Sequence, residues 1–189
     1  VQAAINAASN GQTVCMPSGT GVWSTDVFIT SKALTLAGNG SSNTFITITG
    51  SKQLILNTGT TFSHRLTAFT FNIDTAFASE GFVRVNSNKT DKCWRIDHMG
   101  FIQSSGVAEC YITHSGPGPG LMDHCYVETQ TDQIEGIHNR AYGTGVDTGW
   151  NDDVIPGSTD AVYIEDCYWN HDHVGGFEGS AIQNYNGAR

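Results

Sequence analysis

The chain has 189 residues, of which 14% are charged and 39% hydrophobic, with 22 glycines and a formal net charge of −9. That apolar content excludes a disordered chain, the acidic balance argues against nucleic acid as a partner, and no apolar run is long enough to span a bilayer. Few Lys and Glu, with many Gly, Thr, Asn and Val, fit an all-β protein rich in turns.

Chain order begins with VQAAINAASNGQTV, where Val1, Ile5 and Ala8 recur at helical spacing and Asn10-Gly11 supplies a stop. A helix is expected within residues 1–10, followed by a strand and turn in TVCMPSGT. VFIT, ALTLAG, FITITG and QLILN then read as short strands.

From there the sequence repeats. LTAFTF from Leu66, IDHMGF from Ile96, MDHCYV from Met122 and IEDCYW from Ile164 align residue by residue. Each opens on an apolar residue, followed by Thr67, Asp97, Asp123 or Glu165. Two positions further on come Phe69, Met99, Cys125 or Cys167, and the last place holds Phe71, Phe101, Val127 or Trp169. A second β-like run follows each: FVRV, AECYITH, GIHNRAY and SAIQNYN. TGVDTGWNDDVIPGSTD, in the longest step, reads as a loop ejected from the repeat.

A β pattern at this period predicts a solenoid of stacked parallel coils, each about 4.8 Å above the last, with like residues in columns. Met99, Cys125 and Cys167 are expected to form an inward column. The N-terminal helix would cap the exposed end of the core. Five cysteines with no CxxC spacing read as buried, apolar-behaving thiols, with at least one unpaired within the chain. Disulfides enter if the protein is exported.

The opening stretch, with its helix, GQTV step, PSGT turn and LAGNG turn, resembles the right-handed parallel β-helix proteins of the pectate-lyase-like superfamily. The resemblance implies an all-β, single-stranded right-handed parallel β-helix forming one domain over residues 1–189. It also implies an exported protein, secreted or at the cell surface, acting on or binding an extended polysaccharide as a lyase or a glycoside hydrolase. The alternative is a non-enzymatic glycan-binding or structural rod of a surface adhesin or phage tail fibre. NYNGAR falls where another strand is due, so further C-terminal coils are expected.

Asp97, Asp123 and Glu165 are the catalytic candidates. Lying beside inward apolar residues, they are expected to stack on an exposed face, where their repulsion calls for a cation, a basic neighbour or a shared proton, unless the face is simply wet. Calcium suits a row of hard oxygen donors, and Asp123, Glu165, His171 and His173 are the metal candidates. His98 and His124 are expected at bends, bonding turn carbonyls. IDH after Trp94 is similar to the Trp-Ile-Asp-His segment of pectate lyases, with Arg95 inserted. Asp152-Asp153 is comparable to the paired aspartates of polygalacturonase-like hydrolases, but it stands in a loop. Trp150 and Tyr168 are candidates for stacking on sugars, against ordinary packing; Arg84, Arg140 and Arg189 are candidates for a uronate carboxylate, with Arg140 favoured.

Overall fold

The computed structural model describes residues 1–73, 81–88, 93–103, 110–116, 118–129, 135–140, 162–171 and 182–184. A single helix, α1 (Gln2–Ala7), precedes the strands, shorter than the spacing of Val1, Ile5 and Ala8 predicts because the backbone is already extended at Ala8. The first coil contains β1 (Thr13–Cys15), β2 (Gly19–Trp23) and β3 (Val27–Thr30), and the second β4 (Leu34–Ala37), β5 (Thr44–Ile48) and β6 (Leu54–Gly59). In the third lie β7 (His64–Thr67), β8 (Thr70–Ile73) and β9 (Val83–Ser87), and in the fourth β10 (Trp94–Asp97), β11 (Gly100–Gln103) and β12 (Cys110–Ser115). The fifth has β13 (Gly120–Asp123), β14 (Tyr126–Thr129) and β15 (Glu135–Arg140), the sixth β16 (Val162–Glu165), β17 (Tyr168–His171) and β18 (Ile182–Asn184).

Every third strand is a neighbour, so three parallel sheets result: β1-β4-β7-β10-β13-β16 (sheet A), β2-β5-β8-β11-β14-β17 (sheet B) and β3-β6-β9-β12-β15-β18 (sheet C). This is the expected all-β parallel solenoid, a β-helix with a short N-terminal helix. The aligned repeats are in register: Leu66 pairs with Ile96, Ile96 with Met122 and Met122 with Ile164. Each repeat is two strands rather than one, because the chain bends sharply between sheets A and B. At that bend Ala68, His98, His124 and Asp166 take left-handed φ values of 62°, 55°, 53° and 49°. Such φ is costly for a residue with a Cβ. The stack helps to hold it: the bend N–H groups of Ala68, His98 and His124 donate to the carbonyls of Asp97, Asp123 and Glu165 one coil on.

Inward residues alternate with outward ones, and their columns form the core. Leu36, Leu66, Ile96 and Met122 line sheet A, while Ile46, Phe71, Phe101 and Val127 line sheet B. Phe71 and Phe101 are 6.0 Å apart between ring centres, so like residues touch along the axis. Met99 and Cys125 are buried and Cys167 packs against the same cluster, forming the expected sulfur column above Phe69.

The N-terminal end is covered by α1, whose Ile5 is buried. The Gln2 carboxamide imitates a further strand: its Oε1 accepts from Phe28 N at 2.7 Å, and its Nε2 donates to Phe28 O at 3.0 Å. Lys32 Nζ donates to the carbonyls of Ile5, Asn6 and Ala8 at the C-terminal end of the helix. A cation there answers orphan carbonyls and the negative end of the helix dipole.

Candidate functional site

On sheet A, Thr35, Arg65, Arg95, Leu121 and Tyr163 form an outward column. Two residues further along the strands, Thr67, Asp97, Asp123 and Glu165 form another, immediately before the left-handed bend. The acids therefore stack as expected, but not on an exposed face. Asp97 and Asp123 are buried, and only Glu165 is exposed. Period-two alternation fails at the strand end, where the turning chain and the arginines cover the carboxylates.

Each arginine reaches diagonally to the next coil. Arg65 Nε and Nη2 both donate to Asp97 at 2.7 Å, and Arg95 Nε and Nη2 donate to Asp123 at 3.0 and 2.8 Å. Arg95 Nε is also 3.6 Å from Asp97 Oδ1, so the charges alternate along the axis. The carboxylate side chains are 0% and 5% exposed and both arginines 45%, which leaves the outer guanidinium N–H groups facing solvent. Of the three ways to relieve stacked acids, the basic neighbour is the one the fold uses.

The histidines at the bends complete the unit. His98 Nδ1 lies 3.0 Å from Asp97 Oδ2, and His124 Nδ1 lies 3.0 Å from Asp123 Oδ2. They therefore bond the carboxylates beside them rather than turn carbonyls. Burial pushes the Asp97 carboxyl up, but bonds from Arg65, His98 and Thr67 outweigh it and hold it down at about 2. Arg95, against the opposing effect of burial, also holds Asp123 below the usual carboxylate range, with help from His124. An ionised carboxylate only accepts, so each Nδ1 carries the hydrogen, and in the neutral imidazole Nε2 is the nitrogen with the lone pair. The two rings stack at 5.0 Å with 4° between planes, and His124 Nε2 is 3.8 Å from the Asp166 carboxylate. The result is an Arg–Asp–His unit built twice, one coil apart.

Of this unit, Arg65 and Arg95 line a cleft of about 550 Å³ along the corner where sheet C passes into sheet A, while Asp97, Asp123, His98 and His124 stand at the other end of the strands, outside its walls. Leu34, Arg65, Arg95, Gly120, Leu121 and Tyr163 are among its walls, so it crosses five consecutive coils, roughly 20 Å at 4.8 Å per coil. Trp94 lies in its floor against Gly120, where an added Cβ would come within 2.0 Å of the indole.

No family model matches the chain, and no curated protein and no solved structure is significantly similar to it.

The other candidates do not gather at this site. Tyr168 begins sheet B beyond the bend and is exposed, yet its ring stacks on Tyr126 at 5.6 Å with 3° between planes. One ring face is thus taken by a neighbour. Arg140 pairs with Ser115 in sheet C, a different sheet from the aspartates, and His171 pairs with Thr129 in sheet B. Arg84 is held by Asn86, its Nε donating to Oδ1 at 3.0 Å. Trp150, His173, Arg189 and Asp152-Asp153 lie outside the described residues.

Calcium does not fit the acidic column. Both Asp123 oxygens are taken by Arg95 and His124, and six or more oxygen donors are needed. Among the described residues, no three His, Cys, Asp or Glu are grouped to hold a metal ion. The residues that sequence reasoning missed are Arg65 and Arg95. A signal was present: HRLT and WRID carry Arg at the same place in consecutive repeats.

Proposed function

We propose that the protein is a carbohydrate-active β-helix of the pectate-lyase-like kind, working outside the cell on an extended acidic polysaccharide by β-elimination. The observation that carries this reading is the Arg–Asp–His unit, repeated one coil apart, whose arginines line a cleft that follows the solenoid axis. A cleft crossing five coils suits a polymer rather than a small ligand. The free guanidinium N–H groups of Arg65 and Arg95 would pair with a uronate carboxylate.

Elimination needs a base for the proton on the carbon bearing that carboxylate. Nε2 of His98 or His124 takes it, the glycosidic C–O bond breaks, a C=C bond forms, and the departing oxygen is protonated by the imidazolium or by water. The arginine stabilises the charge that develops on the carboxylate. Hydrolysis by a carboxyl pair needs one member protonated, whereas Asp97 and Asp123 are both anchored as anions. The aspartates act as positioning residues and the histidines carry the proton.

A glycan-binding rod without turnover is the second reading. It is favoured by the pairing of both arginines to aspartates, which a purely structural ladder would also show. Incubation with a panel of neutral and uronate-containing polysaccharides separates the two. New ultraviolet absorbance from unsaturated ends marks elimination. Retention on a polymer without product marks the rod, and reducing ends without new absorbance would point to hydrolysis and overturn the assignment.

A further inference from the structure

The sulfur column carries a second inference, independent of the glycan reading. Asp123 pairs with Glu165 and Tyr126 with Tyr168, so Cys125 and Cys167 occupy equivalent places in adjacent coils. Tyr168 N donates to Cys125 O at 2.8 Å, fixing the two backbones side by side. Neighbouring strands lie about 4.8 Å apart, within the roughly 4.4–6.8 Å Cα separation that a disulfide accepts. Both cysteines are free thiols in the same orientation: Cys125 Sγ is 3.3 Å from Asp123 O, and Cys167 Sγ is 3.2 Å from Glu165 O. Bridging requires one of them to turn toward the other.

We propose that Cys125 and Cys167 form a two-thiol modification site, in which Cys167 captures a low-molecular-weight disulfide and Cys125 resolves it into an inter-coil bridge. Their surroundings assign the order. Cys167 is half-buried and reachable, whereas Cys125 is 2% exposed. The bond from the Cys125 thiol draws Cys167 down to about 7, while the same contact, with burial, pushes Cys125 up. The Cys167 thiolate attacks one sulfur of the small disulfide, RS–SR, and expels RS⁻. Cys125 then loses its proton and attacks Cys167 Sγ, expelling the second RS⁻. Two protein thiols are oxidised and one disulfide is reduced to two thiols. The bridge fastens the sixth coil to the fifth across the longest step between repeats, so the oxidised protein melts at higher temperature.

The test uses the full chain with glutathione disulfide at neutral pH, read by intact mass and peptide mapping. The expected result is loss of two hydrogens and a peptide joining Cys125 to Cys167. Cys125→Ser is expected to stop at the mixed disulfide on Cys167. In the reduced wild-type chain, iodoacetamide is expected to label Cys167 before Cys15, although Cys15 is the more exposed. A bridge joining other cysteines, or no bridge together with earlier labelling of Cys15, would overturn the proposal.

Discussion

Arg95 ties two coils together: its guanidinium grips Asp123 at 3.0 and 2.8 Å, and its Nε lies 3.6 Å from Asp97. Removing one member of a pair with a buried partner leaves a charge uncompensated, which is costlier than removing both. Arg95→Met is expected to lower unfolding stability by about 2–4 kcal/mol, and Arg95→Met with Asp123→Asn to recover part of it. Urea denaturation of the two single variants and the double variant checks this. A double variant less destabilised than Arg95→Met alone would fit, whereas strictly additive losses would show that the pair is not coupled.

Acid should undo the same ladder in a defined window. Asp97 has a folded value of about 2, below its unfolded value of about 4. Its contribution is therefore fully present above about pH 4 and is lost as pH falls toward 2. Asp123 is shifted in the same direction. Circular dichroism across that range should show a decline in stability that Asp97→Asn makes shallower. An unchanged acid profile in that variant would remove Asp97 from the account.

Gly120 is required by its neighbour rather than by its own backbone. An added Cβ would fall 2.0 Å from Trp94 Cε2 and 2.2 Å from Cζ2, with a ring that cannot yield at one end. Gly120→Ala is expected to cost about 1–3 kcal/mol by overpacking. Trp94→Leu in the same chain should relieve the clash, which thermal melts of both variants would show.

How much of this was legible in the sequence depends on which feature repeats. Stacking in register is a translational property, so Leu66, Ile96, Met122 and Ile164 betrayed the coil before any coordinates. The split of each repeat into two strands was less visible, because a left-handed bend at Ala68 or His124 has no glycine to announce it. Burial of Asp97 and Asp123 was misread, since alternation along a strand says nothing about a side chain from the neighbouring coil. Arg65 and Arg95 supply that cover diagonally, across about 30 residues of chain. A search for aligned Arg and Asp two residues apart in successive repeats would have found it.

The cap offers a check at the other end of the molecule. Lys32 Nζ satisfies three carbonyls, of Ile5 and Asn6 in the helix and of Ala8 just beyond it, at 3.2, 3.1 and 2.8 Å. Lys32→Met keeps the aliphatic stem and removes the donors. It is expected to cost about 1–2 kcal/mol and to raise amide exchange in residues 2–7. Hydrogen exchange confined to β1–β3, with α1 unaffected, would contradict the assigned role.

The most direct measurement is the rate at which unsaturated ends appear from a uronate polymer with wild-type protein and with the His98→Ala, His124→Ala double variant. Both proteins are first shown by circular dichroism to be folded. Loss of a positioned base is expected to slow the double variant by about 10²-fold or more while retention on the polymer persists. A double variant as fast as wild type, or a wild-type protein that releases no unsaturated ends from any polymer tested, would contradict the account.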